Sequence, residues 1–356
     1  MKKKLVVLSA VMMMAVPVAG FAAPTGKYAK QIVVAISGGE FNSPIAAVGS
    51  ITDASATNPY LVKVMPGVYN LGTSSLVMKP FVNLEGSGDS SVITSQVVNP
   101  ETQNCAYGTV TMANNSTVSN ILITNTGAGV DDGMDSMSAS VAFQGVTSTL
   151  ENAHVITGSS TFNVTNHHST AVCALNGASA TLNNVKLEAH SSGEAWSHTV
   201  VNGNDSTMVI NNASILAEGT YFSRAFDCNC HGTNDICGRA KVTITNSLLE
   251  ARDLTSAEGF YGGDCQNVEI VNTKIVRDGT PTERIVTIGE FTDEFRILNS
   301  QLINTGGTSS IENNNERPLK IANSLITGGL GGINYLTNAR IIGSYDENFT
   351  PIPNQP

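Results

Sequence analysis

Beyond its first four positions the chain has no cluster of lysine or arginine, and only 13% of its 356 residues are charged. With Lys2, Lys3 and Lys4 set aside, 16 basic residues face 29 acidic ones. So acidic a balance, with no basic stripe, excludes nucleic acid and anionic membrane surfaces as partners. After the N-terminus there is no long apolar run, so no membrane span is expected. Aromatic residues are only 6% of the chain, and tryptophan occurs once, at Trp196. No Ser/His/Asp order, phosphate loop or dinucleotide fingerprint stands in the sequence. What is abundant is Gly, Ser, Thr and Asn, which suits a β-rich exported chain with many turns.

The opening "MKKKLVVLSAVMMMAVPVAGFAAP" has three lysines, an apolar run from Leu5 to Val18, and then small residues. That is the layout of a signal peptide, residues 1–22, with cleavage expected after Ala22. The apolar run is shorter than the ~20 residues of a membrane anchor. The mature protein is expected in the periplasm, outside the cell or on its surface.

An asparagine recurs within one template at Asn120, Asn152, Asn184, Asn212, Asn246, Asn272, Asn299, Asn323 and Asn338. An aliphatic residue stands two positions before each and another three positions after; from the second copy on, a small residue follows directly. The period is about 27 residues, the mark of a solenoid with one supersecondary unit per turn. The local alternation has a period of two, which indicates strands. An all-β, single-stranded right-handed parallel β-helix is therefore expected. In it the asparagines form left-handed corners and an amide ladder, and the aliphatic residues form core rows. Segments such as "SASVAF", "TAVCAL", "HTVVNG", "EGFYGG" and "RIVTIG" read as a further strand in each coil.

Residues 31–95 carry "VVAISGGEF", the amphipathic "SPIAAVGSI", "YLVKVMPGVYN" and "VNLEGSGDSSVIT". These resemble the opening of pectin methylesterases and other pectin-lyase-like β-helix proteins. The resemblance implies an N-terminal helical cap over the first coil, a β-helix over residues 23–345, and an irregular tail at 346–356. The catalytic contexts of that family ("QDT", "GxVDFIFG", "GRPW") do not stand in this sequence. Neither do the calcium-binding acidic cluster of pectate lyases or the "GHG" signature of polygalacturonases.

Six cysteines in an exported chain point to disulfides. Cys230–Cys237 is favoured, Cys228–Cys265 is a plausible inter-coil bridge, and Cys105 and Cys173 are left over. Cys228, Cys230, Cys237 and His231 could instead hold zinc, but bridges are preferred, and no metal or cofactor is expected. "KLEAHSSGEAWSHTV" reads as one loop joining Glu188, His190, Glu194, Trp196 and His198, where an exposed indole could stack a sugar ring. His167 and His168 upstream read as solvated loop residues. Tyr221 and Tyr261 lie in the other loops expected to make contacts. Asp227 and Asp264, one coil apart, could form a carboxylate pair of the kind glycoside hydrolysis uses, with Arg224 and Glu258 as further candidates. The leading expectation is a non-catalytic protein binding polysaccharide or a cell-surface glycan along one face. The alternatives are a polysaccharide-active esterase, lyase or hydrolase, or a purely structural surface protein.

Overall fold

The computed structural model describes residues 28–353, except 101–104, 129–135, 159–166, 229–238, 280–283, 306–309, 314–315 and 329–337. The expected signal peptide and the Cys230–Cys237 bridge lie outside the described residues. The chain winds as a parallel β-solenoid of about nine turns. In each full coil one strand precedes the asparagine corner and one follows it, together forming a twenty-stranded sheet, and a third strand belongs to a separate nine-stranded sheet. Among the described residues one α-helix is present, Pro44–Ser50, with Ala47 and Val48 buried in the core. Its start follows from local chemistry: the Ser43 hydroxyl accepts from Ala46 N–H, and Pro44 occupies the first turn, where no N–H is needed.

The corners explain the repeat. Eight template asparagines, from Asn120 to Asn323, have φ between 49° and 54°, the left-handed region that asparagine tolerates best among residues with a Cβ. Their exposed amides bond from coil to coil, Asn184 Nδ2 to Asn152 Oδ1 at 3.2 Å and Asn212 Nδ2 to Asn184 Oδ1 at 2.6 Å. The run shifts once, where Asn246 donates to Asn211 instead. A second ladder lies beside the first. The hydroxyls of Ser247, Thr273, Ser300, Ser324 and Ser344 each accept the N–H of the equivalent residue one coil below, at 3.1–3.3 Å. The small neighbour therefore does more than leave room: it satisfies a backbone donor that the corner would otherwise strand.

The ninth copy departs from the sequence reading. Ile341 pairs with Ile321, so it fills the aliphatic position before the corner, and Gly343 (φ 60°) is the corner residue above Asn323. Asn338 instead donates its amide to the Glu316 carbonyl at 2.7 Å. The template slipped because glycine, the other residue at ease in this region, had replaced asparagine there. Inside the coils, Leu150, Leu182, Ile210, Ile244, Ile270, Ile297 and Ile321 stack in register, each at most 1% exposed. Phe226 and Phe260 stack face to face at 4.8 Å, with Phe295 edge-on to Phe260. At the far end the chain folds back: Ile352 N–H donates to Ser344 O, and the Ile352 side chain is buried.

The nine-stranded sheet has an irregularity that matters for the site. In its middle strands two consecutive residues enter the core, Ala171 and Val172 in one coil, Ala225 and Phe226 in another. Strict alternation would turn residues i and i+3 to opposite faces. The double inward step instead puts Arg224 and Asp227 on the same, outer face.

Candidate functional site

Three rows of side chains cross successive coils on this outer face. His168, Trp196 and Phe222 are in register, with ring centroids 4.7 Å and 5.2 Å apart. His198, Arg224 and Glu258 form the next row, and Val201, Asp227, Tyr261 and Thr287 the third. His198 Nδ1 stands 2.9 Å from Asp227 Oδ2, both fully buried. Arg224 donates from Nε to Glu258 Oε2 at 2.6 Å and from Nη1 to Asp227 Oδ2 at 3.3 Å. Its guanidinium carbon lies 4.6 Å from the Phe222 ring centre and 3.7 Å from that of Tyr261. Thr287 Oγ1 donates to the other oxygen of Glu258 at 3.0 Å.

Burial alone would lower the Arg224 pKa, but Asp227 and Glu258 outweigh it and hold the guanidinium above its ordinary value. Burial raises the Tyr261 phenol. One cation thus bridges two carboxylates between two aromatic rings, while Trp196, Phe222 and Tyr261 stay half-buried at the rim. Cys105, Met137, Ala139, Ala142, Cys173, Leu175 and Val201 form an apolar cluster on the same face.

Of the residues singled out from sequence, Trp196, His198, Arg224, Asp227, Glu258 and Tyr261 meet here. Tyr221 is 43% exposed, directly before Phe222. Asp264 sits in the turn before Cys265 and donates its N–H to the Cys228 carbonyl at 2.9 Å. Glu188 and His190 do not share a loop with Trp196. They lie on strand Lys186–His190 of the twenty-stranded sheet, and Trp196 begins strand Trp196–Asn202 of the other, with only residues 191–195 between. There Glu188 contacts Lys186, His154 (3.5 Å) and His190 (3.2 Å). Burial would raise its pKa, but hydrogen bonds from Lys186 and His190 prevail and lower it.

The expectation of solvated loop residues fails at His167 and His168. His167 is fully buried and His168 is 5% exposed, as His198 is fully buried too, because all three are strand residues stacked between coils. His168 and Phe222 were missed as members of the ring row. A signal existed for His168: the 28-residue interval from Asn184 to Asn212 also separates His168 from Trp196. Cys228 and Cys265 are bridged, and so are Cys105 and Cys173, the pair that spacing could not assign. Among the described residues no group of three or more His, Cys, Asp or Glu could hold a metal ion. A separate groove of about 1080 Å³ follows the asparagine corner, where Lys186 and Lys274 line it.

These features define the class as a pectin-lyase-like right-handed parallel β-helix. Pectate lyase Pel9A has the same fold, with a TM-score of 0.55 at 12% identity over 91% of this chain and 82% of that one. The catalytic domain of a GH87 α-1,3-glucanase is a looser match, TM-score 0.48 and 14% identity over 91% and 67% of the two chains. Pectin methylesterase PemA from Erwinia chrysanthemi gives 0.42 and 11% over 93% and 92%. No family model matches the chain, and no curated relative matches it in sequence.

Proposed function

We propose that this chain is an exported, non-catalytic β-helix protein that binds polysaccharide on the outer face of its nine-stranded sheet. One observation carries the reading: the in-register row of His168, Trp196 and Phe222, in which two half-buried rings line up beside a buried imidazole across three coils. Such rings stack against the C–H face of a sugar. A non-catalytic role is supported by the state of the carboxylates, since Asp227 is fully buried and Asp227 and Glu258 share the Arg224 guanidinium. Two disulfides and the lack of any described helix able to cross a membrane are consistent with export. The helix Pro44–Ser50 is read as the cap that shields the edge of the first coil, and residues 23–345 as the solenoid with 346–356 as its tail.

Binding to immobilised polysaccharides tests this. Wild type is retained, Trp196→Ala and Tyr221→Ala each elute at least about ten-fold earlier in ligand concentration, and the exposed Tyr221→Ala keeps the wild-type melting profile. No retention of wild type by any polysaccharide would defeat the reading and favour a purely structural role. A catalytic reading has one observation in its favour, the 2.9 Å approach of His198 to Asp227. Release of reducing ends by wild type but not by Asp227→Asn would establish it.

A further inference from the structure

Resting on that binding reading, we propose that the outer face takes an uncharged hexose polymer and rejects polyuronates. The argument is one of charge. The described central strands of this face and their described connections cover 126–128, 136–146, 167–178, 191–206, 220–228, 239 and 254–264. Their lysine and arginine residues are Arg224 and Arg239, against five Asp and Glu: Glu194, Asp205, Asp227, Glu258 and Asp264. Both arginines are already paired: Arg224 with Asp227 and Glu258, and Arg239, in an exposed pair, with Asp205 at 2.8 Å. Next along the sheet, Arg284 is paired with Glu312. Among the described residues of this face, a uronate on every sugar would therefore meet an excess of carboxylates with each cation already paired, and like charges brought together on a partly desolvated surface oppose binding.

Calcium does not rescue this for the described residues, because they contain no three-ligand acidic cluster. Lys186 and Lys274 line the groove at the asparagine corner, away from the rim rings, and Arg252, which lines a second groove with Asp253 and Asp278, is paired with Glu250 and Glu218. What remains at the rim suits a neutral pyranose. The half-buried rings of Trp196, Phe222 and Tyr261 stack on its apolar face.

The test is a glycan array of glucans, mannans, oligogalacturonates, oligoalginates and chitosan, probed with the full chain at about 50 and 500 mM salt. It is repeated with Ca²⁺ and with a chelator. The expected result is retention on at least one neutral polymer that changes less than about two-fold between the salts, and at least about ten-fold weaker retention on uronates. Stronger retention on uronates, with or without Ca²⁺, would overturn the inference while leaving polysaccharide binding intact. Retention on chitosan alone, lost at high salt, would overturn it too, as bulk charge attraction. No retention on any polymer would instead remove the binding reading on which the inference rests.

Discussion

Acidification should destabilise the protein through His167, and the size of the effect follows from its burial. The imidazole is fully buried in strand His167–Leu175, with Nδ1 2.8 Å from the Ser136 hydroxyl, and burial pushes its pKa down to about 4 from 6.5. Between those values the unfolded chain binds a proton that the folded chain does not. Stability from this group is therefore fully present above pH 6.5 and is lost as pH falls toward 4. A shift of about 2.5 units corresponds to about 3 kcal/mol. Urea melts from pH 7 to pH 4 on wild type and His167→Gln isolate the effect, because the glutamine cannot protonate but can still accept from Ser136. The stability difference between the two should narrow by about 3 kcal/mol over that range. A difference that stays constant with pH would refute the burial argument.

Replacing Arg224 by Met should cost about 3–5 kcal/mol, because Asp227 and Glu258 would be left close together and buried. Adding Asp227→Asn and Glu258→Gln should restore part of this, as denaturant melts of the set would show. Burial raises the Asp253 pKa against the hydrogen bonds it accepts from Thr255 N–H, the Ser223 hydroxyl and Ser256 N–H. The folded chain then holds this proton more tightly, so stability falls as pH rises above the unfolded value. Asp253→Asn should flatten that slope in pH-resolved melts, provided the Oδ1 acceptor is kept. Reducing Cys105–Cys173, which spans 68 residues, should cost about 4 kcal/mol on the chain-entropy estimate, seen as a lower melting midpoint in Cys105→Ser/Cys173→Ser. At the last corner, Gly343→Asn should melt close to wild type and extend the ladder, whereas Gly343→Val should destabilise by about 1–2 kcal/mol, since a branched side chain resists φ 60°.

How far the fold could be read in advance depended on which positions restrict residue type. The corner at Asn184 and its equivalents needs φ > 0, few residues tolerate that, and the restriction shows as a repeat in the chain itself. The hydroxyl ladder was harder to see, because Ser300 and Thr273 look merely small until the coil below supplies an N–H. At Gly343 the same physics admitted a second residue, and the template slipped. The outer-face site was legible in its members but not in its arrangement. Arg224 and Asp227 are three apart, and a regular strand would have set them on opposite faces; only the inward pair Ala225 and Phe226 brings them together. Glu188 and Trp196 show the reverse, close in sequence yet on different sheets, since residues 191–195 turn the coil between them.

The single tryptophan makes the central claim directly measurable, because all indole emission comes from Trp196 on the proposed face. Titrating a retained polysaccharide should shift that emission to shorter wavelength and protect it from acrylamide quenching, with the same midpoint as calorimetry. Calorimetric binding that leaves Trp196 emission and quenching unchanged would place the ligand elsewhere on the solenoid and contradict the account.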